Sequence, residues 1–363
     1  MSFLNKKVLN FTHSPFGLDL SDLSVKVVQL EREGKKDKIV SFGTSAIPIG
    51  SIVDGEIMKK ENVISAIKEA VKKAGPKKIR TKKVICSLPE TKAFLRIISI
   101  PKMEQEEIKE AIKWEMEANI PLPIDQVYYD WQMLEKKLSK EANKIDILVV
   151  AVAKKVVDQF VEVLELSGLA VEGLEIESIA QTRSFLDERD DKKTTLIIDL
   201  GDRRTSFSIS TGTIPCFTCS IPLSAQSMTD AISKGLSISF EEAEKTKLTY
   251  GIGSAVKSDP IFQAVKPVLE NLVSELEKSI DFYLTGLQYS ASIDQIIICG
   301  GGANAKGIIP YLSQRMSKTI ELGNPWVSVH IGSKLPLIDR NKSVQYSTAI
   351  GLALKGIYYE DLS

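Results

Sequence analysis

The chain has 363 residues, with 47 Lys+Arg against 47 Asp+Glu and 43% hydrophobic residues. That length allows about two to three domains with real cores, and the even charge balance excludes the basic field that recruits nucleic acid or an anionic membrane. No apolar run approaches a membrane span, and the opening residues Met1 to Lys7 lack a secretion signal's hydrophobic segment, so a cytoplasmic protein is expected.

In chain order, Phe16 to Leu30 reads as a β-hairpin: an apolar run ends on Asp19, turns through Ser21 and Asp22, and returns as an alternating strand carrying Lys26. A further strand reaches Phe42 and Ile47. Glu61 to Lys73 has helical periodicity, with Val63, Ile64, Ile67, Ala70 and Val71 on one face, and Gly75-Pro76 stops it. The cations Lys72, Lys73, Lys77, Lys78, Arg80, Lys82 and Lys83 around that stop read as a solvated helix end.

A segment of different character follows. Strands at Lys83 to Pro89 and Ala93 to Ile100 precede a helix from Glu104 to Ala118, with Ile108, Ala111, Ile112 and Met116 inward. Strands at Val127 to Leu134 and Ile145 to Val152 enclose a charged turn, Glu135 to Lys144. This ββαββ unit is expected to bury its own small core, with Trp114 and Trp131 as anchors, and to be an insertion. The helix Lys154 to Ser167 resumes the main body, and Gly168 stops it.

The stretch Thr194 to Ser210 is a second acid-bearing hairpin. Asp199, Leu200 and Asp202 overlay Asp19, Leu20 and Asp22 at one constant offset, which implies a duplicated domain. Helices are expected at Ser224 to Lys234, Phe240 to Tyr250 and Pro260 to Leu287, the last kinked at Pro267. The buried strand Ile296 to Cys299 breaks into Gly300-Gly301-Gly302-Ala303-Asn304 and enters a helix, Lys306 to Arg315; a last helix covers Gln345 to Leu354. The division is residues 1–82 plus 153–190 as one half, 83–152 as the insertion, 191–230 plus 290–363 as the other half, and 231–289 as a helical subdomain. Cys86 and Cys299 read as small buried hydrophobes, Cys216 and Cys219 fall on opposite faces of a strand, and His13 and His330 are too few for a zinc site.

Turn amides in such hairpins can point together at an anion. Asp19 and Asp199 suit a Mg²⁺ held through water, bridging protein acid to phosphate. Gly300, Gly301 and Gly302 remove every Cβ where a base or ribose would pass, and the following helix offers its positive end. These features point to Mg-nucleotide binding. No base for water attack stands out by spacing, so no catalytic residue is assigned.

With these motifs the chain resembles the actin-like ATPase superfamily and, within it, the PilM branch of type IV pilus assembly proteins, related to FtsA. Gly17-Leu18-Asp19-Leu20-Ser21 with Lys26 resembles the first phosphate motif, and Ile198-Asp199-Leu200-Gly201 with Thr205 the second. Cys299-Gly300-Gly301-Gly302-Ala303 with Gly307 resembles the adenosine motif, and Glu244 and Lys247 would hold ribose and base. The insertion carries the most specific matches, among them Ile112-Lys113-Trp114-Glu115, Ile120 to Ile124 and Asp130-Trp131-Gln132. Ser21 departs from the glycine usual there. The resemblance implies an actin-like fold of two duplicated halves around a nucleotide cleft, ATP and Mg²⁺ as cofactors, and at most weak ATPase activity. It also implies docking of a PilN-like inner-membrane protein's N-terminal peptide in a seam beside the insertion. Other pilus platform or motor proteins, and self-association, are the further partners implied. An FtsA-like division scaffold is the alternative, disfavoured by the short acidic tail Gly356 to Ser363, and an actin-fold sugar kinase is a more distant one.

Overall fold

The computed structural model describes residues 14–34, 36–120, 122–134, 143–190, 192–253, 259–287, 292–327, 329 and 338–362. His13, His330 and most of the charged turn expected at 135–144 lie outside them.

The first body opens with β1 (Phe16–Leu20), β2 (Ser24–Glu33) and β3 (Lys36–Ala46), an antiparallel run of hairpins. A two-residue turn joins the small strands β4 (Ile52–Val53) and β5 (Glu56–Ile57). Helix α1 (Lys60–Lys73) covers β2 and β3, burying Val63, Ala66, Ile67 and Ala70, and β6 (Gly75–Pro76) pairs with β3. Of the basic cluster after α1, Lys73 pairs with Glu69, Lys77 with Glu31 and Lys83 with Glu172, as a solvated helix end requires. Strand β7 (Lys83–Leu88) then runs parallel to β1.

This last pairing corrects the reading of the insertion. Residues 83–88 were expected to open it, yet β7 lies between β1 and β11 (Ala170–Ile176) in the six-stranded sheet β11-β7-β1-β2-β3-β6. The separate three-stranded sheet holds only β8 (Ala93–Pro101), β10 (Lys144–Ala153) and β9 (Val127–Met133), in that order, with helix α2 (Gln105–Asn119) on one face. Ile98, Ile100, Ile147 and Val149 face Ile108, Ile112 and Met116 of α2, forming a core of their own. On the opposite face Leu95, Ile97, Leu148 and Val152 join the main core, and β8 touches β14 (Ile214–Ile221) of the second body. Trp131 packs on the small core, but Trp114 is 72% exposed on the outer face of α2 and anchors nothing.

Helix α3 (Lys154–Leu166) returns the chain to β11, and α4 (Glu177–Phe185) leaves it. The second body repeats the first. Strands β12 (Thr194–Leu200), β13 (Thr205–Thr211) and β14 form the hairpin run; α5 (Ala225–Leu236), α6 (Phe240–Tyr250) and α7 (Pro260–Asp281) follow. Ser224 and Ser239 close capping boxes on α5 and α6, and Asp259 caps α7 ahead of Pro260. Pro267 lies inside α7, which gives way to a π turn at Phe282–Gly286. Strand β15 (Gln295–Cys299), helix α8 (Ile308–Met316) and β16 (Ile320–Leu322) complete the sheet β14-β13-β12-β15-β16.

The two sheets share one strand order, since β3-β2-β1-β7-β11 matches β14-β13-β12-β15-β16. Even the turns match: the Ser21 amide donates to the Ser24 carbonyl and the Gly201 amide to the Arg204 carbonyl, both at 3.0 Å. After α9 (Arg340–Ser343), α10 (Ser347–Leu362) packs on β1, β2, β7 and α4 rather than with the second sheet where it was expected. Ala349, Ile350, Leu352, Ala353, Leu354 and Ile357 are all buried, so the helix has apolar faces for two layers at once.

The crossing of α4 and α10 depends on Gly351. A Cβ there would stand 1.8 Å from the Ala180 carbonyl oxygen. Gly351→Ala is therefore expected to separate the helices and destabilise the protein by about 3 kcal/mol, read as a lower urea midpoint.

Candidate functional site

The carboxyl ends of β1, β7, β11, β12 and β15 open on one cleft between the bodies, with a cavity of about 320 Å³. Asp19, Ser21 and Lys26 line it from the first hairpin; Asp199 and Gly201 from the second; Gly300, Gly301 and Gly302 from the break after β15; and Glu244 and Lys247 from α6. Thr205 and Ala303 do not line it. The Thr205 hydroxyl is buried and donates to the Leu223 carbonyl at 2.7 Å, and Ala303 is buried in the turn Gly301–Asn304.

Asp19 is buried. Its Oδ1 accepts from Ser87 Oγ at 3.2 Å, and its Oδ2 lies 3.5 Å from Lys26 Nζ, the residue opposite it across the hairpin. Ser87 Oγ also accepts from the Leu20 amide at 2.9 Å, which fixes the strand end that presents Asp19. Burial disfavours the Lys26 ammonium, but the charges of Asp19, Asp202 and Asp199 outweigh it and hold the pKa above the usual lysine range. Across the cleft, burial raises Asp199 to about 6; Asp19 and Asp202 add to the rise, while Gln181 and Lys26 oppose it. Gln181 donates to Asp199 and also to Thr348 Oγ1 of α10 at 3.1 Å.

Further acids face the same space. Glu177, the first residue of α4, is pushed well above the carboxylate range by burial and by Asp19, Asp199 and Glu90. Burial raises Glu90 too, and its carboxylate accepts from the Ser178 amide at 3.2 Å. Gln181, Glu90 and Glu177 were not found from sequence. The signal available was position: Glu177 and Glu90 each follow the carboxyl end of a parallel strand closely.

The glycine triplet works differently from the expectation. Gly300 has φ of +84°, and a Cβ on it would strike Asp199 Oδ1 at 2.2 Å; Gly302 would strike Leu200 at 2.5 Å. Both are held by packing against β12. Only Gly301 opens a space, its nearest neighbour being Asp202 Oδ1 at 3.5 Å. The helix expected from Lys306 begins at Ile308 after a 3₁₀ turn; Asn304 and Ala305 ahead of it line the cleft, while Gly307 and Ile308 do not. Lys247 Nζ is spent inside the protein. It donates to Ala225 O at 3.0 Å and Thr229 Oγ1 at 2.7 Å, and pairs with Glu244 at 2.8 Å. Lys247 thus fixes Glu244, which stands half-exposed at the rim.

The facing carboxylates fit a divalent cation, because a positive charge between Asp19 and Asp199 relieves their mutual repulsion. Two acids with no third ligand match a Mg²⁺ that keeps its waters, and no group of three or more metal-binding side chains occurs among the described residues. The thiols of Cys86 and Cys299, raised well above the cysteine range by burial, take no part. No helix among the described residues is long and apolar enough to cross a membrane.

A family model described as type IV pilus assembly protein PilM matches residues 17–357. Among solved structures, a PilM-PilN type IV pilus biogenesis complex is 25% identical with a TM-score of 0.78, covering 95% of this chain and 99% of that one. MreB5 of Spiroplasma citri bound to AMPPNP shares the fold at 14% identity and a TM-score of 0.55, with 97% and 98% covered. The cell division protein FtsA of Staphylococcus epidermidis is 23% identical over 96% of this chain and 80% of its own length.

The raised pKa of Asp199 has a consequence for stability without metal. A carboxyl that holds its proton more tightly when folded stabilises the fold at low pH, and loses that contribution as pH rises through about 6. Asp199→Asn removes the buried charge near Asp19, Asp202 and Lys26. It is expected to raise stability by on the order of 2 kcal/mol at neutral pH and by little near pH 4, in metal-free denaturant titrations.

Proposed function

The chain belongs to the PilM family of type IV pilus assembly proteins, and we propose that it is an ATP-binding scaffold of the inner-membrane platform of a type IV pilus or related secretion system. The observation that carries this reading is the pair of matched hairpin turns, each with its acid, facing each other across one cleft. ATP would lie with its phosphates between Ser21 and Gly201, its adenosine beside Gly301, and its ribose toward Glu244. Asp19 and Asp199 would hold Mg²⁺ through water; the ion would neutralise phosphate charge. This chain's own residues keep the site ordered: Ser87 and Gln181 orient the two acids, and Lys26 balances part of their charge.

The partner in this reading is a PilN-like membrane protein, docked through its cytoplasmic N-terminal peptide. What supports it is a strand edge beside a seam. Among the described residues strand β9 pairs only with β10, and Tyr128, Tyr129 and Met133 on it are exposed. Tyr128 meets α3 through Lys154, whose ammonium lies 5.4 Å from the ring centre. An extended peptide can add to such an edge, its apolar side chains in the seam. Membrane association then runs through the partner. The pilus reading is favoured over a division scaffold by the likeness to the PilM-PilN complex across nearly the whole of both chains.

Calorimetry with Mg-ATP tests the nucleotide half. Wild type should bind, and Gly301→Val should weaken binding by about tenfold or more while the protein stays folded, because only ligand space is filled. Absence of Mg-ATP binding to wild type would end this reading. For the partner, residues 93–152 are the unit to remove. Ala93 and Val152 are paired neighbours, so a short linker closes the gap and leaves β7 in its sheet. The shortened protein should still bind Mg-ATP but lose the partner peptide in fluorescence anisotropy; retained peptide affinity would place docking elsewhere.

A further inference from the structure

The two cleft turns match in backbone and in their acids, but not at the two positions that follow Asp22 and Asp202. Leu23 and Ser24 stand in the first turn where Arg203 and Arg204 stand in the second. The duplication has thus put two guanidiniums on one side of the cleft only. Among the described residues four cations line the cavity, and three of them are engaged. Lys26 pairs with Asp19 and donates to Ser24 Oγ at 2.9 Å. Lys247 is held by Ala225, Thr229 and Glu244. Arg204 donates from Nη1 to the Asp54 carboxylate and from Nε to Ser220 Oγ, both at 3.1 Å. Arg203 is exposed, and it has no hydrogen-bond or ion-pair partner among the described residues. It is nevertheless near the facing turn: burial raises Asp22, and the Gly55 amide, Arg203 and Arg204 oppose the rise.

We propose that Arg203 grips the terminal phosphate of a bound nucleoside triphosphate and so sets a preference of the cleft for triphosphate over diphosphate. The assignment rests on the functional reading above, in which the phosphates lie between Ser21 and Gly201. Arg203 lies two residues beyond Gly201 in the same turn, which the Gly201 amide closes on the Arg204 carbonyl. A terminal phosphate brings a further negative charge into a space already lined by Asp19, Asp22, Asp199 and Asp202. Backbone amides can hold its oxygens but cannot balance that charge. A guanidinium does both, because its planar fork donates two parallel hydrogen bonds to a phosphate and is weakly hydrated beforehand. Arg203 can turn to the phosphate without breaking any contact. Arg204 would have to give up Asp54 and Ser220, and it serves instead to brace the turn that carries Arg203. Leu23, at the matching place in the first turn, offers the phosphates no charge. The added attraction is therefore one-sided and acts on the phosphate that reaches the second turn.

Titrations of the full chain with Mg-AMPPNP and with Mg-ADP test this. Wild type should bind Mg-AMPPNP the more tightly, by about tenfold or more. Arg203→Gln should weaken Mg-AMPPNP by about tenfold but Mg-ADP by less than about twofold, which abolishes the preference. Because the side chain is exposed and unpartnered, the variant should keep the urea midpoint of wild type, so the loss is one of binding and not of folding. Arg203→Lys keeps the charge without the fork and should recover only about threefold of the loss. Equal weakening of both nucleotides in Arg203→Gln, or no weakening of either, overturns the role of Arg203 while leaving nucleotide binding in place. Failure of wild type to bind either nucleotide overturns the functional reading and this assignment with it.

Discussion

The structure depends on the close crossing of α4 and α10. Gly351 lets the backbones meet over Ala180, and the crossing is locked beside it by a buried ionic cluster. Arg183 of α4 grips Glu175 through two nitrogens, at 2.6 and 2.8 Å, and donates to the Gly351 carbonyl; Lys355 of α10 reaches the same carboxylate at 2.9 Å. Burial alone would raise Glu175, yet the two cations hold it below its ordinary range, so it is a charged, fully partnered group. One end of α4 presents Glu177 to the cleft. The other end buries Phe185 with Ile197, Cys299 and Val344 of the second body. This helix pair therefore ties the first body to the second beside the cleft.

The cleft between the tied bodies brings like charges together. Asp19, Asp199, Asp202, Glu90 and Glu177 all line the space, and Lys26 is a cation held among them by its pairing with Asp19. Such an arrangement costs folding free energy, and each acid raised above its ordinary range is a measure of that cost. Sites that must bind a charged ligand commonly carry this kind of local instability. The surroundings compensate with apolar packing, since Leu18, Leu20, Ile198 and Leu200 beneath the acids are almost fully buried.

The hairpins were legible in sequence because everything that makes them is local: an apolar run, an acid, a turn, an alternating return. Their repetition at one offset carried over to strand order and to the turn hydrogen bonds. What escaped was non-local. Lys83 to Leu88 is a good strand by composition, but only its partners β1 and β11 say that it belongs to the large sheet. Helix α10 is apolar on most of its faces, so periodicity could not say which sheet it covers. Trp114 looked like a core anchor by residue type, while its place on α2 turns it outward, opposite Ile112 and Met116. In the cleft, the hairpin acids and Gly301 were readable. The roles of Gln181, Glu90 and Ser87 were not, because each reaches its partner from a strand or helix distant in the chain.

The place of the insertion follows from the same topology. In open α/β sheets, ligands bind outside the carboxyl ends of the parallel strands, where backbone amides and helix starts converge. The insertion leaves the sheet at Pro89, immediately after the carboxyl end of β7. Its root must therefore form part of the cleft wall, and Pro89, Glu90 and Thr91 do line the cavity. An insertion in the loop before β7 would have emerged at the opposite edge of the sheet, remote from any ligand. An inserted unit rooted where this one is shares residues with the cleft wall from the outset.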